Sequence, residues 1–308
     1  MKTVFVLTSD IHDNYLEQLY LSLISYYEYN SDRAIVLADS ETLKSLVGGR
    51  RKINELAEVI EAKVPDGLSK KEKSRWLKTS IPEYINVPFL FIDCDTIICG
   101  PLVMQDEPRG DICAVVDKHV PIKDHSCKKL FERNDTILGF RSSFEGPIHF
   151  NSGLLYCSNT DNARKFYRLW HNLWEYSNKK GISIDQPALN EANRKMGWII
   201  RELPGEWNCQ VNDNGLKYLY NAKIIHYFAS YKIFKNPFLL ASSALLSSIR
   251  EGVLTDEEIR DLVANAKSAF ADKLSLIADE SVLRAYNSIG FRLLKKWFRF
   301  LDSGRLRK

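Results

Sequence analysis

The chain has 308 residues, is 45% hydrophobic and 27% charged, and carries a formal charge of +4. That supplies enough apolar material for one large domain or two small ones and rules out a disordered or low-complexity chain. The positive charge is local: residues 291–308 hold seven Lys/Arg against one Asp, so the first 290 sum to about −2, which argues against a nucleic-acid-binding core.

In chain order, TVFVLTS from Thr3 reads as a short β-branched strand, and MKTVFVLTSD is too short for the apolar region of a signal peptide. YLEQLYLSLISYYEY has helical periodicity, and RAIVLAD is a second apolar strand ending in Asp39. VGGRRKINELAEVIEAKV combines a loop, an amphipathic stretch and a short strand. KKEKSRWLKTSIPEYI predicts a basic helix whose length Pro82 limits. VPFLFIDCDTIICGPL is among the most apolar runs of the chain and delivers Asp93 and Asp95 to its end. GDICAVVD reads as a strand, Arg133 to Pro147 as a polar loop, and HFNSGLLYCSN as a strand opening on polar residues. A long amphipathic helix is expected from about Asn162 to Asn178, followed by SIDQPALNEANRKM, GWIIREL and AKIIHYF. Strands alternating with helices predict an α/β fold, in which ligands gather outside the carboxyl ends of the strands. The expected division is an α/β domain over residues 1–235 and a helical extension over 236–308. No window reaches the roughly 18 consecutive apolar residues of a membrane span. The six cysteines form no CxxC pair and no zinc spacing with histidine, and so read as reduced thiols of a cytoplasmic protein.

Asp93 and Asp95 are two apart, so in extended backbone both face one side and Cys94 the other. Two close carboxylates repel each other, and burying them unpaired is costly, so a positive partner is expected there. A hard divalent cation suits them, and so does the blander reading of a turn cap with a salt bridge. The same doubling holds further along. His226, ending an apolar strand, is either a ligand or a core histidine. Asn151, followed by Ser152 and Gly153, either approaches a ligand or makes an Asx turn. Asp185 and Gln186, before Pro187, either face a substrate or start a helix.

Taken together, these blocks resemble glycosyltransferase family 8, a group of GT-A (Rossmann-like) nucleotide-diphospho-sugar transferases. In that family a basic helix precedes a strand ending in Asp-x-Asp, as in KTSIPEYINVPFLFIDCDTIICGPL. HFNSGLLYCSN, DQPALN and IIHYFASYK then match its later segments in order, over about residues 3 to 234. The resemblance implies a metal site of Asp93, Asp95 and His226 holding manganese or magnesium. It places Asp185 and Gln186 at the catalytic centre. Donor contacts are implied for Thr8, Tyr15, Asp39, Arg75, Lys78, Cys94, Asn151, Ser152, Gly153 and Lys232. Asp39 is equally a cap for SETLKSL, and the choice of sugar, acceptor and linkage rests on pocket shape and on residues such as Asp111, Asp117 and the 120–147 loop, which carry no assigned role. The implied reaction moves a sugar from a nucleotide-sugar, UDP-linked by resemblance, to a glycan or lipid-linked glycan, with retention, in cell-surface polysaccharide synthesis. Two departures stand out: Ala229 replaces the family's glycine, and Lys232-Ile233-Phe234 replaces its lysine-proline-tryptophan. They leave open a catalytically impaired homologue that binds sugar nucleotide or glycan as a scaffold. A nucleotidyltransferase would want a glycine-rich phosphate loop near the first strand, and LTSDIHDNY has no glycine.

The basic tail FRLLKKWFRFLDSGRLRK separates cleanly when wound at ~100° per residue. Arg292, Lys295, Lys296 and Arg299 fall on one face; Leu293, Leu294, Trp297, Phe298, Phe300 and Leu301 fall on the other. That is the pattern of a helix lying on an anionic membrane surface, here the inner face of the cytoplasmic membrane, or of a helix docked on its own domain.

Overall fold

The structure is a computed structural model that describes residues 1–104, 110–211, 213–227, 240, 242–270 and 288–305. The chain divides into two compact units, Met1–Phe270 and Ala271–Lys308; in the second, the described residues form a helix, Ile289–Arg305. The first unit begins with β1 (Lys2–Leu7), α1 (Tyr15–Tyr27), β2 (Ala34–Ala38), α2 (Ser40–Ser45), α3 (Ile53–Leu56) and β3 (Ala57–Glu61). Next come α4 (Lys70–Thr79), β4 (Phe89–Ile92), β5 (Thr96–Ile98), β6 (Ile112–Val116), α5 (Lys128–Leu138), α6 (Ser142–Glu145) and β7 (Phe150–Cys157). It closes with α7 (Asp161–Lys179), α8 (Gln186–Lys195), β8 (Ile200–Glu202), β9 (Cys209–Gln210), β10 (Ile224–His226), α9 (Ser243–Arg250), α10 (Asp256–Ala264) and α11 (Ala266–Phe270).

Seven strands form one mixed sheet in the order β3-β2-β1-β4-β7-β6-β8. Successive side chains of a strand point to opposite faces, and both faces here are apolar. Val4, Val6, Phe89 and Phe91 pack with Leu77, Phe166, Tyr167, Trp170 and Leu189 on one side. Phe5, Leu7, Leu90 and Ile92 pack with Leu16, Leu19, Leu23 and Trp207 on the other. The result is a three-layer α/β sandwich, the fold class that the alternation of elements predicts.

β7 is the strand that matters most for the site. It runs antiparallel to both neighbours, β4 and β6, so its first residues lie at their carboxyl ends. A small second sheet, β5-β10-β9, sits beside this edge, with His226 paired to Thr96 across β10 and β5. The Asp93-to-Asp95 turn is therefore pinned on both flanks: the Asp93 amide donates to the Gly153 carbonyl, and the Tyr227 amide donates to the Asp95 carbonyl.

Local signals set the helices. Ser69 and Glu72 form a capping box at the start of α4, and α4 stops at Thr79, before a 3-10 turn containing Pro82. Thr160 caps α7, with Asp161 in its first turn and Lys179 in its last, complementing the helix dipole. The expected polar loop from Arg133 to Pro147 is a correction: α5 and α6 occupy it. The inner face of α5 is Phe131, Asn134, Asp135 and Leu138, all buried, and two polar members hide the helical period. Asp135 accepts from the Ser143 amide and the Ser142 hydroxyl, which starts α6. The expected boundary after residue 235 falls outside the described residues; α9 and α10 pack on α1 within the first unit. Among the described residues no helix is long and apolar enough to cross a membrane.

Candidate active site

A cavity of about 680 Å³ opens at the carboxyl edge of β1, β4 and β6. Thr8, Tyr15, Arg75, Lys78, Asp93, Cys94, Asn151, Ser152, Gly153, Asp185, Gln186 and His226 all line it, so the fold brings together residues spread over more than 200 positions. Its size is that of a small-molecule site. Lys232 lies outside the described residues, as do Ala229, Ile233 and Phe234.

At the floor, ligand atoms of Asp93, Asp95 and His226 lie within 4.8 Å of one another. His226 Nε2 is 3.2 Å from Asp95 Oδ1. Which nitrogen carries the proton follows from a backbone amide. The Gly153 N–H donates to Asn151 Oδ1 at 2.9 Å, which fixes the orientation of the Asn151 amide. Asn208 Nδ2 must then be the donor to that same oxygen, at 3.0 Å, so Asn208 Oδ1 faces His226 Nδ1, also at 3.0 Å. His226 therefore donates from Nδ1 and turns the Nε2 lone pair toward the carboxylates, as a metal ligand requires. Gly153 makes the approach possible: a Cβ there would lie 2.3 Å from His226 Cε1 and 2.9 Å from Asp93 Oδ2. Two carboxylates and an imidazole in this arrangement fit manganese or magnesium, with positions left over for phosphate oxygens.

The network continues away from the floor. Asn151 Nδ2 donates to Asp117 Oδ1 at 2.8 Å, and His125 Nε2 lies 2.9 Å from Asp117 Oδ2. The Cys127 amide donates to His125 Nδ1, so the imidazole proton sits on Nε2 and points at Asp117. Burial works against the Asp117 charge, but the hydrogen bonds from His125 and Asn151 outweigh it and hold its pKa below the ordinary carboxylate value. Asn151 is thus both a wall of the cavity and an Asx turn, with its amide committed to Gly153, Asn208 and Asp117.

A buried charge cluster adjoins the floor. Lys78 Nζ lies 3.3 Å from Asp93 Oδ1, 3.3 Å from Asp185 Oδ2 and 3.2 Å from Ser152 Oγ. Arg75 Nε is 3.5 Å from Asp185 Oδ1. These two of the cations of α4 are therefore spent first on carboxylates. Burial would raise the Asp185 pKa, yet Lys78, then Arg75 and the Ser152 hydroxyl, hold it down at about 2. Asp185 occupies the N-cap position of α8 without making a capping hydrogen bond, which leaves its carboxylate turned to the cluster. Gln186 leans toward Asp117, but its Nε2 is buried with no well-formed hydrogen bond.

The remaining candidates sort by position. Thr8 donates to the Lys70 carbonyl at 3.1 Å, and Tyr15 is exposed at the cavity rim. The Cys94 thiol reaches the Val6 carbonyl at 3.2 Å, and burial, with Asp93 and Asp95 beside it, pushes its pKa up. Asp39 does not line the cavity. It caps α2 through Thr42 and meets Lys73 at 3.3 Å, so a strand-end aspartate serves here as a helix cap. Asn208 and His125 escaped sequence reading, because no spacing marks an asparagine or histidine that meets its partner only through the fold. Asp117, ending an apolar strand, carried the same signal as Asp93.

A mixed α/β sheet whose carboxyl edge holds an Asp-x-Asp turn, a histidine and a cavity of small-molecule size has the GT-A fold of nucleotide-sugar transferases. The family model described as glycosyl transferase family 8 matches residues 7–236, and the chain belongs to that family: it is a glycosyltransferase that takes its sugar from a nucleotide-sugar. No curated protein sequence matches the chain. Among solved structures it is similar to galactosyltransferase LgtC in complex with donor and acceptor sugar analogues, at 16% identity over 85% of this chain and 95% of that one, with a TM-score of 0.51. GlyE of Streptococcus pneumoniae TIGR4 aligns at 17% identity over 84% of this chain and 63% of its own, with a TM-score of 0.47. Mouse xyloside xylosyltransferase 1 aligns at 12% identity over 73% and 96%, with a TM-score of 0.49. At these identities the likeness to LgtC speaks for the fold.

Proposed function

We propose that the protein is a metal-dependent hexosyltransferase that uses a UDP-sugar and manganese, or magnesium, to extend a glycan or lipid-linked glycan with retention of configuration, in cell-surface polysaccharide synthesis. The observation that carries this reading is the convergence of Asp93, Asp95 and His226 within 4.8 Å at the floor of the cavity. A divalent cation held there supplies Lewis-acid stabilisation of the negative charge that grows on the departing diphosphate.

The chain's own residues do the rest. Asn208 keeps the His226 lone pair aimed at the carboxylates, and Lys78 offsets the repulsion that two aspartates would otherwise suffer. Asp185, ionised across the physiological range by its cations, places a fixed negative charge beside the sugar, where an oxocarbenium-like carbon gains positive charge. Gln186, on the cavity wall beside Asp185, orients a sugar hydroxyl. Thr8 and Tyr15 form the end of the cavity that takes the nucleobase, and Asn151, Ser152 and Gly153 form the wall beside the sugar. The helical state of Ile289–Arg305 is the one its two-faced pattern needs for peripheral attachment to an anionic membrane, close to a lipid-linked acceptor.

Thermal-shift screening of UDP-, GDP- and CMP-sugars with manganese, followed by manganese-dependent hydrolysis of the stabilising donor, tests the proposal. The expected result is stabilisation by a UDP-sugar, slow sugar release on adding manganese, and loss of both in a folded Asp93→Ala variant. Full turnover in chelator or in Asp93→Ala would remove the metal assignment, and donor binding without any turnover would favour the scaffold.

A further inference from the structure

The loop between β1 and α1, residues 8–14, delivers Thr8 to the cavity and starts the helix whose first residue is Tyr15. Its shape is maintained partly from within. Asp13 accepts from the Ser9 hydroxyl at 2.7 Å and from the Asp10 and Tyr15 amides at 3.1 Å each. Lys70 bridges Asp10 and Asp13 at 2.6 Å each.

The loop is also clamped from outside, by a residue beyond the family match. Arg250, the last residue of α9, spreads its guanidinium over the loop. Nη1 donates to the Ile11 carbonyl at 3.1 Å; Nη2 donates to the Asp13 carbonyl and to Asn14 Oδ1, the latter at 2.7 Å. Nε and Nη2 each lie 3.0 Å from a different oxygen of Glu17, in the first turn of α1. Glu17 is 1% exposed, and its carboxylate is paired with two arginines. The second is Arg50, 3.3 Å from Glu17 Oε1, whose Nη2 also donates to the Ser9 hydroxyl at 2.9 Å. α10 anchors the same helix face, because Tyr20 donates to Asp256 at 2.8 Å. A planar fork that meets two carbonyls, an amide and a bidentate carboxylate at once is a geometry that arginine provides and lysine does not.

We propose that Arg250 is a positioning residue for the donor: α9 uses it to hold residues 11–14 in the shape that presents Thr8 and Tyr15 to the nucleotide. The inference rests on the reading of the Thr8–Tyr15 end as the nucleobase end. It makes the helical extension part of donor recognition, although Arg250 touches neither substrate nor metal.

The experiment compares wild type, Arg250→Gln, Arg250→Lys, Tyr15→Ala and the Tyr15→Ala/Arg250→Gln double variant. Donor KM, kcat, acceptor KM and hydrogen exchange of residues 9–16 are measured on the full chain with manganese. Arg250→Gln should raise donor KM about tenfold, leave kcat and acceptor KM within about twofold, and speed exchange in the loop. Arg250→Lys, which keeps the charge, holds the fold and should show an intermediate rise. The double variant should show less than the product of the single effects, because both act through one loop. Two outcomes overturn the proposal: donor KM unchanged in Arg250→Gln while Tyr15→Ala raises it, or a fall in kcat that merely follows the folded fraction. If neither Tyr15→Ala nor Arg250→Gln alters donor KM, the nucleobase end has been misplaced, and the proposal falls with that reading.

Discussion

Gly153→Ala isolates the geometry of the metal site. The glycine is not in the left-handed region, so alanine meets no backbone penalty and its whole effect is steric. The new Cβ would sit 2.3 Å from His226 Cε1, whereas carbons in contact settle at about 3.5–4.0 Å. The imidazole must therefore withdraw by roughly 1 Å or more, or the β7 backbone must yield. Withdrawal disturbs both the 3.0 Å bond to Asn208 and the approach to Asp95. Overpacking of this kind costs about 1–3 kcal/mol. Misplacing a ligand's support typically weakens metal affinity by about 10–100-fold. The assay is turnover of the donor against manganese concentration, with urea unfolding alongside. Gly181→Ala is the control: its φ of +81° penalises alanine, but nothing lies within 4 Å of the new carbon. It should lose about 1 kcal/mol and keep its manganese response. A Gly153→Ala enzyme with wild-type half-saturation by manganese would refute the placement of His226 in the site.

Lys78→Met should destabilise the protein by about 3 kcal/mol in urea, because it strips the nearer cation from a buried Asp185. Adding Asp185→Asn should recover part of that loss, and a single variant as stable as wild type would show that the cluster is not coupled. Part of the acid sensitivity should come from His149, which burial pushes down to about 4, as it does His119. The unfolded chain takes up this proton below about 6.5 and the native state resists it until about 4. The contribution of His149 is thus complete above the upper value and lost as pH falls through this window, by about 2 kcal/mol between pH 7.5 and 5. His149 Nε2 is buried with no well-formed hydrogen bond and its ring packs on Phe131, so His149→Phe should fold and show a loss about 2 kcal/mol smaller over that range. An unchanged pH dependence in that variant would remove His149 as a source.

Much of the site was legible because its residues sit at ends of apolar strands, where alternation and abrupt polarity can be read without a structure. Asp93 and Asp95 after FLFI, His226 after AKII and Asn151 at the start of SGLLYC all carry that mark. The mark does not say what a residue meets. Asp39 and Asp117 both follow apolar strands, yet one caps a helix against Lys73 and the other anchors the hydrogen bonds behind Asn151. Arg75 and Lys78 are donor contacts by resemblance; in the fold both lie against Asp185. The helix α5 was hidden because its buried face includes Asn134 and Asp135, which satisfy partners no local pattern displays.

The sequence by itself determined the α/β alternation, the helix caps and the residue types able to hold a cation, since these follow from propensity, periodicity and charge within a few residues. Only the tertiary structure decided that β7 runs against β4 and β6, which carries Asn151, Ser152 and Gly153 to the edge where Asp93 and Asp117 end their strands. It also decided the His226 tautomer, through a chain of amides that begins at the Gly153 N–H, and the clamp of Arg250 on a loop more than 230 residues earlier. The physical reason is common to all three. Strand direction, hydrogen-bond polarity across a network, and pairing of buried charge are settled by which surfaces meet, and that depends on the whole chain packing at once.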